Sequence, residues 1–550
     1  MNEVTPSFEQ KEAYSSLLCV IEPCRVSQIE DTDLLKTELG AALRKAGVEL
    51  SPQARLVKNG KDNKWELLDD EQRYEVRKKA GDFRIYENSH VINKIVERDL
   101  CVRCGACEPA CPADIIRFDK ECFPYITDEA LCPTACTRCL KVCPGEFVNF
   151  SGFDQEMFGC SPHPDSITGV AHRAIISYAT DDYVREDGTS GGLITQLLVF
   201  LLEQGHIDGA LVLGSGKNAE AWSQESYIAR TSDDIKKATK SKYMVTPYLR
   251  PLKEIEEVEG RYAVVALPCY IHSLRKYQRV SKKLRDRIKL VIGLFCNAAF
   301  IPDMYEEVTD VAKLDKSSIK DFHFRHGEWP GGLTAEFASG EKKPVLKLQD
   351  MRDEFNLMKM LYTAPRCHMC IDYSAEHADI SVGDPWLRDK TGKLMYKDNH
   401  STALIRTEAG DWALNAAQDA GYLKTDDIPL EMFMVNFENL ARYKRTFVPE
   451  HIAIRKNFDL SFADYNRPIG NTSNPKHISA LKKLSIIHVT RIPWMRKLLL
   501  RMVQTSLALK YLDWNRDKKD RVFARKYSRL SAMADKFKSH LKSTQKTTKV

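Results

Sequence analysis

The sequence predicts an α/β body preceded by a small cysteine-rich module. Three observations carry that expectation. Eight cysteines fall in a doubled run between Cys101 and Cys143. Two continuous apolar segments, Arg261–Leu267 and Leu290–Phe295, each run into a cysteine and read as buried strands. Apolar helical stretches such as Leu193 to Leu202 alternate with these strands, the pattern of α/β architecture.

The first half of the doubled run is Cys101-Val-Arg-Cys104-Gly-Ala-Cys107-Glu-Pro-Ala-Cys111-Pro112. The second, Cys132-Pro-Thr-Ala-Cys136-Thr-Arg-Cys139-Leu-Lys-Val-Cys143-Pro144, repeats it with one extra residue between its first two cysteines. C-x2-C-x2-C-x3-C-P is the ligand spacing of bacterial-type ferredoxins. A short loop supplies three thiolates to one cubane, and the distant Cys-Pro supplies the fourth to the other. One [4Fe-4S] cluster is therefore expected on Cys101, Cys104, Cys107 and Cys143. A second is expected on Cys132, Cys136, Cys139 and Cys111. The extra residue before Cys136 is where the ligand register could differ. Structural zinc uses four ligands in pairs rather than eight. Disulfides belong to oxidising compartments, and Met1-Asn-Glu-Val-Thr-Pro6 has neither a basic nor an apolar leader region.

Length and composition set the frame. A chain of 550 residues suggests several domains. Its 43% hydrophobic and 29% charged residues suit a globular protein. Sixteen cysteines fit metal ligation better than bridges. No run of apolar residues is long enough for a transmembrane helix, so a reducing cytoplasm is the expected location, with peripheral membrane contact one alternative. The net charge of +6 conceals an asymmetry. From Lys476 onward, twenty Lys and Arg face four Asp, a net +16, and the rest of the chain carries −10. Within this tail, Pro493–Val503 sets Trp494 and Leu498–Leu500 beside Arg496, Lys497 and Arg501. Such a segment suits an anionic membrane surface, an acidic partner subunit, or a solvated helix. No motif for base recognition accompanies the charge, so nucleic acid is not an expected partner.

Four segments are expected. Residues 1–90 read as a mostly helical accessory unit, with helical spacing over Thr32 to Ala46 and Asp69 to Ala80. Cys19 and Cys24 there read as ordinary thiols. Residues 91–150 form the two-cluster module, entered by a strand Val91 to Val96, with strands at Ile115–Phe118 and Pro124–Ile126; Cys122 reads as packing. Residues 165–445 form the α/β body. Residues 470–550 form the basic helical tail.

In the body, strand Ala174–Ala179 precedes Gly188-Thr-Ser-Gly-Gly192-Leu-Ile-Thr195 and an apolar helix. A Ser-Gly-Gly turn at a helix start offers free N–H groups to a phosphate; a plain helix cap explains it equally well. Gly209-Ala-Leu-Val-Leu-Gly214-Ser-Gly216 imitates a dinucleotide fingerprint, but a short strand, not a helix, follows, so it reads as a hairpin. Ser241-Lys242-Tyr243 closes a charged helix, and Lys242 either meets a phosphate or solvates a loop. Cys269 and Cys296 stand at the carboxyl ends of two strands, where open α/β sheets hold ligands. With Cys367 and Cys370 they form a candidate third [4Fe-4S] set; the alternative is two core thiols and a zinc half-site. His323 and His326, three apart on a strand, point to different faces and make no metal pair.

Taken together, Thr189-Ser-Gly-Gly192 with Thr195, Ser241-Lys-Tyr243, Leu267-Pro-Cys269, Gly293-Leu-Phe-Cys296, Cys367-x2-Cys370 and Ala378-Asp-Ile-Ser-Val-Gly-Asp384 resemble the coenzyme F420 hydrogenase/dehydrogenase beta-subunit family over residues 95–440. The leading ferredoxin module looks like the F420H2 dehydrogenase input subunit. The resemblance implies FAD against an F420 site, with Ser190, Gly191, Gly192, Thr195 and the turn Ser241, Lys242, Tyr243 holding FAD phosphate. It implies the third cluster on Cys269, Cys296, Cys367 and Cys370. The implied activity is electron transfer between reduced F420 and one-electron carriers through flavin and clusters, with ferredoxin or a larger electron-transfer complex as partner. The rival reading is a ferredoxin-fed FAD reductase of a small organic substrate, and a third is a flavin-free relay protein. No catalytic residue is assigned, because hydride transfer to a flavin requires no protein acid or base.

Overall fold

The computed structural model describes residues 55–59, 64–69, 72–79, 82–87, 91–132, 136–162, 166–216, 223–348, 351–389, 393–396, 399–457, 460–467, 489–512 and 514. The helical reading of Thr32 to Ala46, the residues Cys19 and Cys24, and most of the basic tail lie outside them.

Strands β1 (Arg55–Asn59), β2 (Lys64–Asp69), β3 (Gln72–Lys79) and β4 (Asp82–Glu87) form an antiparallel meander. This corrects the helical expectation for Asp69 to Ala80. In β3 the apolar Tyr74 and Val76 alternate with Arg73, Glu75 and Arg77, a period of two that belongs to a strand. The expected strand at Val91 to Val96 is instead helix Val91–Glu97. Ile92 and Ile95, three apart, share its buried face, which a strand would have split. The module's two strands, β5 (Ile116–Phe118) and β6 (Pro124–Ile126), pair antiparallel.

The body is an eight-stranded mixed sheet. Its parallel centre is β8 (Gly209–Ser215), β10 (Tyr262–Ala266), β11 (Ile288–Leu294) and β15 (Ile380–Gly383). Antiparallel strands complete both edges: β9 (Gln224–Ala229) beside β8, and β16 (Ser401–Ile405), β7 (Arg173–Ala179) and β17 (Leu423–Ile428) beyond β15. Gly214 and Ser215 are the last residues of β8, paired with Glu225 and Gln224 of β9, so this segment is the end of a strand rather than a dinucleotide loop.

Alternating side chains divide the sheet's two faces. Val212, Ala263, Ile292 and Val382 pack on one face against helices Leu193–Glu203 and Glu408–Asp419. Each fully buried leucine of the former contributes roughly 1.5–3 kcal/mol. Leu211, Val264 and Val291 face the other way, against helix Pro268–Val280. That helix begins with proline in its first turn, where no N–H is needed. It buries Tyr270, Ile271, Leu274 and Tyr277, one helical stripe. Cys104, Ala106, Ala110 and Val142 join the same core, so the ferredoxin module is packed onto the body on this side.

Between β11 and β15 the chain builds a smaller sheet of β12 (Ile319–His326), β13 (Gly332–Phe337) and β14 (Lys342–Pro344). Its core takes in Leu500 of helix Pro493–Val503. The register shifts between His323 and His326, and their rings lie 5.5 Å apart. This corrects the expectation of opposite faces, because a bulge cancels one step of the alternation. His323 Nε2 lies 2.9 Å from Glu336 Oε2.

Candidate functional site

The cysteine ladder starts in the module. Arg103 and Gly105 both take positive φ, 59° and 85°. A Cβ on Gly105 would stand 2.7 Å from the Pro247 carbonyl carbon, so the loop lies directly on the body. The tight turns aim backbone donors at sulfur: Arg103 N–H donates to Cys101 Sγ at 3.3 Å, and Gly145 N–H to Cys143 Sγ at 3.4 Å.

The thiols stand near enough to one another that each raises its neighbours' pKa. Burial pushes Cys104 up to about 12, and the neighbouring Cys143 adds to it. Burial raises Cys107 strongly, followed by Cys104, Cys101 and Cys143. Burial likewise pushes Cys139 up to about 12, with Cys143, Cys136, Cys132 and Cys111 adding to it. Cys132 rises by burial and then by Cys136 and Cys111. The described cysteines are free thiols. Thiols crowded this closely cannot all ionise without a multivalent cation to absorb the charge. The eight cysteines of the module thus lie near one another, and the influences also cross between the two expected foursomes, Cys143 on Cys139 and Cys139 on Cys107.

A third foursome forms on the body. Cys269 sits in the first turn of helix Pro268–Val280, Cys296 just past β11, Cys367 on the 3-10 turn Pro365–Met369 and Cys370 directly after it. Burial raises Cys269, and Cys370, Cys367 and Cys296 raise it further. Burial pushes Cys296 up to about 12 against the pull of Lys444. Lys444 is only 1% exposed. Burial favours its neutral form, but the sulfurs of Cys370, Cys296, Cys367 and Cys269 outweigh burial and hold it charged. Lys444 stands on a single π turn, Tyr443–Phe447, whose Tyr443 hydroxyl lies 2.7 Å from His368 Nδ1, inside the Cys367–Cys370 loop. Sequence reasoning missed Lys444, because nothing in its local spacing announces a ligand neighbourhood 74 residues away from Cys370. Cys269 also senses Cys104, so the body's set adjoins the Cys101 set. Cys107 senses Cys139, so the Cys132 set follows outward. Cys122 packs beside Cys367, Val245 and Ala299.

The body's cavity, about 1010 Å³, opens at the carboxyl ends of β8, β10 and β11, the edge where α/β sheets receive ligands. Cys296 lines it, so cavity and third cysteine set share a wall. Ser190, Gly192, Thr195, Ser241, Lys242 and Tyr243 all line it. Gly191 does not. It is buried, its N–H donates to Ser401 Oγ at 2.9 Å, and a Cβ there would stand 2.6 Å from the Ser177 carbonyl oxygen. Gly191 thus admits two backbones to close approach, while Gly192, at φ 72°, caps the apolar helix.

Polar tethers organise the mouth. Ser190 Oγ donates to Asp384, which Arg325 grips at 3.0 and 2.8 Å. Thr189 Oγ1 accepts from Ser241 N–H at 2.9 Å, joining the two turns. Lys242 Nζ donates to the Thr239 carbonyl at 2.8 Å, and burial brings its pKa down to about 8. Tyr243 packs edge-on to Phe324 and Phe355. Asn297 Oδ1 and Arg325 Nη2, on residues that line the cavity, are buried without a partner. Buried polar groups ordinarily have partners, so Asn297 Oδ1 is a candidate to meet a ligand's polar atom at this wall, beside the Arg325 guanidinium. Arg325 and Asn297 were not legible as site residues; Asn297 follows a cysteine, but Arg325 arrives from a separate sheet.

Sequence comparison then places the molecule. A 4Fe-4S binding domain matches residues 94–117. That match, with the cysteine geometry and the α/β body, defines the class: an iron–sulfur protein with a ligand cavity at the carboxyl edge of its sheet. The "Coenzyme F420 hydrogenase/dehydrogenase, beta subunit" N-terminal and C-terminal descriptions match residues 174–253 and 259–431. Coenzyme F420 hydrogenase subunit beta of Methanothermobacter thermautotrophicus is 30% identical over 303 residues, 54% of this chain and 98% of that protein. The chain belongs to the coenzyme F420 hydrogenase/dehydrogenase beta-subunit family. Coenzyme F420-dependent sulfite reductase of Methanocaldococcus jannaschii is 31% identical over 346 residues, 60% of this chain, which spans about half of that relative (47%). One of the subunits of the F(420)H(2) dehydrogenase of Methanosarcina mazei is 25% identical over 358 residues, 62% of this chain and 88% of its own length.

Proposed function

We propose that the protein is an oxidoreductase that exchanges electrons between reduced coenzyme F420 and one-electron carriers. FAD would occupy the cavity, and three [4Fe-4S] clusters would lead outward from it. The observation that carries this reading is Cys296, which lines the cavity and belongs to the third cysteine set. Flavin is the cofactor that accepts a hydride and releases single electrons. The relatives named for F420 hydrogenase, dehydrogenase and sulfite reductase support F420 as the hydride carrier. Two are named as subunits, which supports a larger electron-transfer assembly around the outermost cysteine set.

The chain's own residues would do three things. Ser190, Gly192 and the N-terminus of helix Leu193–Glu203 would receive phosphate, while Gly191 holds the turn against Ser177 and Ser401. Asn297 would satisfy its open hydrogen bond on the ligand, beside the Arg325 guanidinium. Lys444 would offset negative charge on the four nearby thiolates, and net charge is one of the terms that set a cluster's potential.

Anaerobic mixing of the flavin-loaded protein with reduced F420 tests the reading. Rapid loss of both flavin and cluster absorbance is expected. If reduced F420 leaves them oxidised while reduced ferredoxin bleaches them, the protein is a ferredoxin-fed reductase and the proposal falls. A second prediction concerns retention. Arg325→Ala leaves Asp384 without its guanidinium and frees the Ser190 turn, a loss of about 3 kcal/mol in local stability. Flavin is expected to wash out on desalting, while Arg325→Lys retains part of it, as read from the visible spectrum.

A further inference from the structure

We propose that helix Pro493–Val503 and the turn of helix after it form a docking ridge for an anionic lipid surface. The helix is held in one orientation. Arg496 is buried and donates to Glu307 at 3.0 and 2.6 Å and also to Asp303. Lys497 pairs with Asp310 at 2.9 Å, and Leu500 is fully buried. These contacts occupy one side of the helix. The side they leave outward carries Trp494, Leu498 and Met502, 65%, 48% and 55% exposed. Spaced by four, they form one stripe. Beyond a break at Gln504 and Thr505, the next helical segment also exposes Leu507, Tyr511 and Trp514.

Six large apolar or aromatic side chains on two successive helical segments are more than the scattered exposure of an ordinary surface. Three features select lipid as the occupant. The stripe lies along the exposed side of a surface helix, and a fluid surface can accept such a side without a matching groove. Its aromatic members are Trp494, Tyr511 and Trp514, the residue types that favour a membrane–water boundary. The charge of the segment is predominantly positive. Arg501 and Lys510 are exposed beside the stripe, and by sequence residues 513–550 carry twelve Lys and Arg against four Asp. The acidic groups beneath the helix, Asp303, Glu307 and Asp310, are engaged by Arg496 and Lys497. An amphipathic helix of this kind lies in the headgroup layer rather than crossing it. Among the described residues, no helix is long and apolar enough to cross. The ridge and the cavity involve different residues, so this docking is independent of the redox reading.

Flotation of the full-length protein with phosphatidylcholine vesicles, with and without about a quarter phosphatidylglycerol, tests the proposal. Binding is expected only to the anionic vesicles, weakening as salt rises. The triple variant Trp494→Ser, Leu498→Ser, Met502→Ser alters only exposed side chains. It is expected to bind at least about tenfold more weakly, with an unchanged melting curve and cluster spectrum. Three outcomes would overturn the idea: no flotation of the unaltered protein on anionic vesicles; a triple variant that binds as tightly as the parent, which reduces the effect to tail charge; or a dimer by light scattering that the triple variant converts to monomer, which assigns the ridge to a second copy of the chain.

Discussion

Replacing Cys296 by alanine is expected to disconnect the cavity from the iron–sulfur relay. Iron should fall from about twelve to about eight atoms per chain, the loss of one cubane. Reduced F420 should still bleach the flavin, but the module's clusters should stay oxidised on the fast timescale. The split follows from the position of Cys296. Phe295 N–H donates to the Val382 carbonyl at 2.9 Å and Cys296 N–H to the Tyr373 carbonyl at 2.8 Å. A Cβ on Gly293 would stand 2.3 Å from the Ala375 side chain. The end of β11 is therefore clamped against the 373–378 turn, and the sulfur's position does not depend on the cavity's contents. Iron analysis and stopped-flow spectra read the two halves separately. Twelve irons in the alanine variant would show that the body's cysteines hold no cluster.

The second large effect lies behind that site. Glu376 is 1% exposed and accepts from Arg445 and Arg467, each at 2.5 Å. Arg467 also grips Asp154 at 3.0 and 2.7 Å. Removing one partner of a buried ion pair costs about 3–5 kcal/mol, because the other charge stays buried. Glu376→Gln, which removes the charge and keeps the shape, is thus expected to lower Tm by roughly 5 °C near neutral pH. The pH dependence has a definite sign. Burial raises the Glu376 carboxyl, but Arg445 and Arg467 outweigh it and hold its pKa well below the usual value. A depressed carboxylate stabilises the fold fully above its unfolded pKa of about 4.3 and loses that contribution as pH falls through the folded value. The Tm gap between parent and Glu376→Gln should therefore be widest at neutral pH and narrow below about pH 4. A gap that does not change with pH would remove the charge from the explanation.

What was legible without a fold was what local chain geometry dictates. Three thiols spaced over one short loop can reach the same metal centre, so the spacing of Cys101, Cys104 and Cys107 is a ligand signal by itself. Leu193 to Leu202 is apolar enough to be a core helix wherever it packs. The strands before Cys269 and Cys296 announced themselves as apolar runs bounded by a turn residue or a charge. Short segments with ambiguous periodicity were not legible. Val91 to Val96 is largely apolar, and only its packing through Ile92 and Ile95 makes it a helix.

The roles that depend on distant partners were decided by tertiary structure. Gly191 reads as a phosphate cradle in isolation, yet the fold uses it to bring its backbone against Ser177 and Ser401. Ser190 reads as a free donor, yet it is tied to Asp384, and Asp384 to Arg325, across the cavity mouth. Lys444 looks like an ordinary surface lysine until the π turn buries it among four sulfurs. Sequence by itself determined the ligand types, their local spacing and the alternation of strand and helix, because each depends on residues within a few positions of one another. Only the tertiary structure decided which cysteine set adjoins the cavity, which charges neutralise it and where its open hydrogen bonds point. Those depend on segments far apart in the chain meeting at one sheet edge, and no local period encodes that meeting.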